Sequence, residues 1–89
     1  MRFRPEPSII TTPMDDGGLV LLAQRSGTLF RCNATAAAMW TALCQHDGQL
    51  DAVAGSLAER YPAHAARVRA DLDLLVEALR RAGLVRADM

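Results

Sequence analysis

The chain has 89 residues, ten basic and ten acidic side chains, and a formal net charge of zero. This length allows one small domain, and an apolar fraction of 51% is enough for a packed core. A neutral chain lacks the basic surface with which proteins bind phosphates, so we expect no nucleic acid partner. The sequence contains no apolar run of the length of a signal peptide or a membrane span. We therefore expect a cytoplasmic protein without a membrane partner.

Three strands are predicted in the first part of the chain. The N-terminal segment is expected to be an irregular arm, because Pro5 and Pro7 restrict it to extended or turn conformations. The β-branched run from Ser8 to Thr12 predicts a first strand. The apolar run from Val20 to Ala23 predicts a second strand. A polar turn then joins it to a third strand, predicted over Thr28 to Cys32.

Three predicted helices follow the strands. Asn33 occupies the N-cap position of a helix over Ala34 to Gln45, and Gly48 ends that helix. A second helix is predicted over Leu50 to Arg60 and a third over His64 to Ala82. The sequence thus predicts an α+β fold, in which a three-stranded antiparallel sheet precedes three helices. This content is similar to that of a winged helix-turn-helix.

The third predicted helix has two distinct faces. One is an ordinary apolar core stripe centred on Val68. The other is a mixed flank that is either a solvated edge, with Arg67 and Asp71 as an i,i+4 ion pair, or one wall of a groove for an extended ligand. Periodicity alone favours the solvated edge. The flank consists of Arg67, Asp71, Leu74 and Ala78.

The sequence offers little for catalysis or for metal binding. His46 and His64 have no second ligand at the spacing of a metal site, and no serine lies in a nucleophile motif. We therefore expect no enzymatic activity, no cofactor and no metal. Cys32 and Cys44 both lie in apolar surroundings, and we expect both to be buried and reduced thiols.

An ordered set of motifs resembles the PqqD-like family and covers residues 8–85. It consists of an apolar strand, a glycine turn, an aromatic residue, an Asn-x-Thr-Ala segment, a Trp and the stripe of the third helix. Cys32 replaces the usual Leu of the family and Ala37 a common Gly, and both changes concern packing. The positions that carry the resemblance are Leu21, Leu22, Ser26, Gly27, Phe30, Cys32, Asn33, Thr35, Ala36, Ala37, Met39, Trp40, Leu57, Tyr61, Val68, Asp71, Leu72, Leu75, Val76, Leu79, Gly83 and Leu84.

The resemblance implies a stand-alone recognition element for ribosomally synthesised, post-translationally modified peptides. Members of the family bind the leader segment of a precursor peptide and deliver it to modifying enzymes. We favour lasso-peptide biosynthesis, in which the implied partners are a leader peptidase and possibly a cyclase. The alternative within the family is a chaperone in pyrroloquinoline quinone synthesis. Outside the family, a winged-helix DNA-binding domain and a structural adaptor remain open.

The resemblance also implies a site. In the family the leader adds as an antiparallel strand to the edge of the third strand and lies against the third helix, which is β-augmentation. Leu74 would then belong to a groove wall and not to a solvated edge. We expect Phe30 and Cys32 to face the helices, and Leu29 and Arg31 to face away. The implied peptide-binding residues are Thr28, Leu29, Phe30, Arg31, Cys32, Arg67, Val68, Asp71, Leu72, Leu74, Leu75 and Ala78.

Overall fold

The structure, a computed structural model, describes residues 2–88; Met1 and Met89 of the predicted domain lie outside the described residues. The chain forms two antiparallel sheets, one of three strands and one of two, and a layer of helices. A short 3₁₀ segment, Pro62–His64, precedes the last helix. The elements are β1 (Arg2–Pro5), β2 (Ile9–Pro13), β3 (Leu19–Ala23), β4 (Thr28–Cys32), α1 (Ala34–Gln45), α2 (Leu50–Arg60), α3 (Ala65–Arg81) and β5 (Val85–Asp88).

The larger sheet has the strand order β2-β3-β4, and the three helices follow it in the chain. The predicted α+β fold is therefore confirmed. The inner face of the larger sheet packs on the helices, and Leu21 of β3 has no exposed area. In β4, Phe30 and Cys32 lie on this inner side, whereas Leu29 and Arg31 are exposed. The predicted orientation of the β4 side chains is confirmed as well.

Local signals set both ends of α1. The Asn33 side chain accepts a hydrogen bond from the Ala36 N–H at 2.9 Å, which confirms the predicted N-cap. The helix ends in a turn where Asp47 and Gly48 have φ of 53° and 74°. A Cβ atom at Gly48 would lie 2.5 Å from the Phe3 carbonyl oxygen. Glycine is thus required by the backbone conformation and by the close approach of β1.

The prediction of an irregular N-terminal arm is wrong. Arg2–Pro5 forms β1, which pairs antiparallel with β5 at Val85–Asp88. Each strand is short, and the two lie at opposite ends of the chain, so no local pattern indicates their pairing. The pairing places Leu84 and Val85 against the core, where they are 0% and 3% exposed.

The core lies between the inner face of the larger sheet and the helices. Leu43 of α1 and Leu72 of α3 have no exposed area. Cys32 is buried as predicted, but Cys44 is exposed. The prediction of a buried Cys44 is wrong because α1 turns a neighbouring set of side chains inward. That set is Ala37, Met39, Trp40, Ala42 and Leu43.

Candidate functional site

β4 offers an open strand edge, because within residues 2–88 it pairs with β3 and with no other strand. Two contacts fix the direction of hydrogen bonding in the sheet. The Gln24 N–H donates to the Ser8 carbonyl at 3.0 Å, and the Met14 N–H donates to the Gly18 carbonyl at 2.9 Å. Hydrogen bonds alternate between the two sides of a central antiparallel strand. Even-numbered residues of β3 therefore bond to β2, and odd-numbered residues bond to β4.

This alternation decides which backbone groups of β4 are free. Phe30 lies opposite Leu21, and Leu29 lies opposite Leu22. The N–H and C=O of Phe30 are therefore used within the sheet. The same groups of Leu29 and Arg31 point to the open edge. An incoming strand would find donors and acceptors there at the spacing of an antiparallel ladder.

α3 runs beside β4 in the opposite direction. At one end a pocket joins Arg67 and Asp71 to Thr35, which follows β4. At the other end a second pocket joins Arg81 to Thr28, the first residue of β4. We infer from these two ends that the intervening flank of α3 faces β4, and we call the space between them the edge groove. In this inference its boundaries are β4 (Thr28–Cys32) and Arg67, Asp71, Leu74, Leu75 and Ala78 of α3.

The pocket at the Thr35 end of the edge groove has a volume of about 210 Å³. Met39 and Val68 contribute apolar, nearly buried side chains, whereas His64 and Asp71 are exposed at its margin. An apolar interior with a polar margin suits a ligand side chain that is mainly apolar. The pocket is lined by Thr35, Met39, Leu57, Tyr61, His64, Arg67, Val68 and Asp71.

Arg67 and Asp71 have no ion-pair partner within residues 2–88, and the i,i+4 pair considered for them is not formed. The opposite flank of α3 differs. There Arg69 donates to Asp51 at 2.7 Å and to Asp73 at 3.1 Å, and these contacts raise the pKa of Arg69. The charges of the edge groove are thus available to a ligand, whereas those of the opposite flank satisfy one another.

Of the predicted site residues, Arg67, Val68 and Asp71 lie together in the pocket at the Thr35 end. The predicted residues as a whole differ in exposure. Leu74 is 72% exposed and Leu29 67% exposed, although both are large and apolar. Leu72 has no exposed area and Cys32 is 2% exposed, so both support the groove from the core and present no side-chain surface to a ligand. The half-buried members are Thr28, Phe30, Leu75 and Ala78.

Sequence patterns do not indicate that Met39, Tyr61 and His64 lie together. These residues come from three separate segments that only the tertiary fold brings into one pocket. Thr35 is the exception, because it belongs to the Asn-x-Thr-Ala motif that directly follows β4. In the sequence, that motif is the signal that indicates the Thr35 end of the edge groove.

Within residues 2–88, no group of three or more His, Cys, Asp or Glu side chains is placed to hold a metal ion. In the same range, each helix is too short or too polar to cross a membrane.

The fold and the groove define a small α+β domain in which an open sheet edge lies beside a helix. The chain belongs to the PqqD family, since the family model for coenzyme PQQ synthesis protein D matches residues 18–85. The resemblance identified from the sequence is thus confirmed.

Two solved structures share the fold over nearly the whole chain. A lasso peptide synthetase B1 complexed with the leader peptide is 31% identical, with a TM-score of 0.77; the match covers 98% of this chain and 100% of that one. TbiB1 in complex with the TbiA(beta) leader peptide is 21% identical, with a TM-score of 0.80; that match covers 97% of this chain and 98% of the other. A search of curated proteins gave no match.

Proposed function

We propose that this chain binds the leader segment of a ribosomally synthesised precursor peptide in lasso-peptide biosynthesis. The leader adds to β4 as an antiparallel strand and lies in the edge groove against α3. The observation that carries the proposal is the open backbone edge at Leu29 and Arg31. The exposed Leu74, on the flank of α3 that we infer to face this edge, supports it. The two similar structures both contain a leader peptide and support this class of ligand.

Backbone hydrogen bonds supply the part of the affinity that does not depend on leader sequence. The free N–H and C=O groups of Leu29 and Arg31 allow four such bonds. At about 0.5–1.5 kcal/mol net for each bond, they contribute roughly 2–6 kcal/mol. Micromolar binding requires about 8 kcal/mol, and ordering the leader adds a further cost. Side-chain contacts must therefore supply the remaining affinity and the specificity.

The α3 wall provides these side-chain contacts. Leu74 is 72% exposed in the free protein, and a leader in the groove covers it. Burying a Leu side chain fully contributes about 1.5–3 kcal/mol. Asp71 binds a basic side chain or an N–H group of the leader, and Arg67 binds an acidic one. The pocket at the Thr35 end takes an apolar leader side chain.

The proposed role is binding and delivery without catalysis. A leader paired with β4 keeps the precursor tethered while its core segment stays outside the groove. A separate leader peptidase and a cyclase then act on the tethered precursor, and we place all of these proteins in the cytoplasm. Neither a membrane nor a nucleic acid takes part in this scheme.

A chaperone role in pyrroloquinoline quinone synthesis is the second candidate, because the family model describes a protein of that pathway. The 31% identity with a lasso peptide synthetase B1 over the whole chain favours the first candidate. The two are separated by titrating the protein with a lasso precursor leader and with the precursor of the quinone cofactor.

Amide hydrogen exchange tests the proposed strand addition. The leader is expected to slow exchange at the Leu29 and Arg31 amides, which point to the open edge. The Phe30 and Cys32 amides, already bonded to β3, are expected to keep their exchange rates and serve as internal controls. A leader that binds without protecting Leu29 and Arg31 would refute strand addition.

A further inference from the structure

Arg31 is the only charged residue in the strands of the larger sheet, which otherwise consist of apolar residues, threonines and one proline. Its side chain is exposed on the outer face, and within residues 2–88 it forms no ion pair. Val20 lies opposite it on β3, and Thr12 lies opposite Val20 on β2. The neighbouring strands thus offer no carboxylate to the positive charge at the open edge.

The two outward side chains of β4 differ in chemistry. Leu29 is apolar and 67% exposed, with Leu22 opposite it on β3, whereas Arg31 is cationic. Residues that lie directly opposite each other in an antiparallel pair point to the same face, with their Cβ atoms about 5 Å apart. A strand added to β4 therefore places one of its side chains beside Leu29 and another beside Arg31.

Backbone hydrogen bonds alone do not set the register of the added strand. The bonding pattern of an antiparallel ladder repeats every two residues, so a shift by two residues restores the bonds at Leu29 and Arg31. Side chains must therefore distinguish one register from the next. On the outer face, such a shift moves a leader residue from a position beside an apolar side chain to a position beside a cation, or the reverse.

We propose, on the basis of the proposed function, that Arg31 and Leu29 set the register of the leader and select its sequence. The leader carries an aspartate or a glutamate opposite Arg31. Because it runs antiparallel to β4, the leader residue opposite Leu29 follows two positions later, and that residue is apolar. Opposite charges and apolar side chains at facing positions both stabilise a sheet.

The charge of Arg31 also acts against unsuitable leaders. A lysine or an arginine opposite it would place two like charges side by side, which destabilises strand pairing. An exposed ion pair contributes little affinity and is screened by salt, so Arg31 contributes mainly selectivity. The leader residue opposite Arg31 points away from α3, and its contact is therefore separate from those of Arg67 and Asp71.

Charge reversal on both partners tests the proposal. A series of labelled leader peptides carries glutamate or lysine at each position in turn, and each peptide is titrated with the parent protein and with Arg31→Glu. The matched control is Arg86→Glu, which makes the same change of charge at an exposed position of β5, in the other sheet. The titrations are made at low salt and repeated at high salt.

At one leader position the parent is expected to bind the glutamate peptide about three- to tenfold more tightly than the lysine peptide, and Arg31→Glu is expected to reverse this preference. Arg86→Glu is expected to keep the preference of the parent, and high salt is expected to reduce it. Two positions later in the leader, both charges are expected to weaken binding to the parent.

The proposal fails if Arg31→Glu reverses the preference at no position, or if Arg86→Glu produces the same reversal. Tolerance of both charges two positions later would overturn the pairing with Leu29. Failure of the unmodified leader to bind the parent would instead refute the proposed function, before any variant is compared.

Discussion

Replacing Arg31 with proline removes one N–H from the open edge of β4 and spares the β3–β4 ladder. Arg31 lies opposite Val20, at a position whose backbone groups point away from β3. Its side chain is exposed. Proline is tolerated on the open side of an edge strand, so the variant is expected to fold.

The expected loss of leader affinity follows from hydrogen-bond energetics. Removing the Arg31 N–H eliminates a hydrogen bond and leaves a leader carbonyl facing the proline ring. Because this partly buried carbonyl is then unsatisfied, the loss is about 1–3 kcal/mol. A loss of this size corresponds to a dissociation constant raised roughly 5- to 150-fold.

Fluorescence anisotropy of a labelled leader measures this change. Arg31→Ala is the matched control, because it removes the same side chain and keeps the N–H. Thermal denaturation of both variants verifies that they are folded. Phe30→Pro provides a contrast, since it removes an N–H of the β3–β4 ladder and is expected to lower the melting temperature. A folded Arg31→Pro protein with the leader affinity of Arg31→Ala would refute the strand-addition geometry.

Three further predictions concern the groove wall, the core and the thiols. Leu74→Glu is expected to weaken leader binding at least about tenfold, or about 1.4 kcal/mol, with the fold intact. The control is Ala66→Glu, at an exposed position of α3 on the side away from the core; equal leader affinities of the two variants would exclude the groove assignment. Leu72→Ala is expected to cost about 2–5 kcal/mol of unfolding free energy in denaturant titrations, because Leu72 has no exposed area; a loss below about 1 kcal/mol would contradict its place in the core. Desolvation raises the pKa of both thiols, but Cys44 is exposed and Cys32 is buried, so iodoacetamide is expected to modify Cys44 first and Cys32 only on unfolding; mass spectrometry after digestion decides the order.

Much of the fold is predictable because its signals are local. The N-cap at Asn33 and the stop at Gly48 bound α1, which spans Ala34–Gln45 as predicted. The predicted bounds of α2 and β4 are confirmed as well. In β4 the alternation of side chains also predicts which residues face outward. Each of these features depends on residues only a few positions apart in the sequence.

The remaining features depend on tertiary contacts and leave no local signal. The pairing of β1 with β5 joins the two ends of the chain. The pocket at the Thr35 end joins side chains of α1, α2 and α3, so its shape follows from helix packing. The exposure of Leu74 was predictable from its angular distance to the apolar stripe centred on Val68. The absence of an Arg67–Asp71 ion pair within residues 2–88 was not predictable. A position on one helix does not determine whether two flexible side chains pair.

The central claim is that this chain binds a leader peptide, and a direct titration tests it. A labelled leader, taken from the short open reading frame beside the gene, is titrated with the purified protein and followed by fluorescence anisotropy. We predict saturable binding at micromolar or tighter affinity, competed by unlabelled leader and not by the core segment of the precursor. A folded protein that shows no binding to this leader, either alone or with the peptidase and cyclase present, would contradict the account.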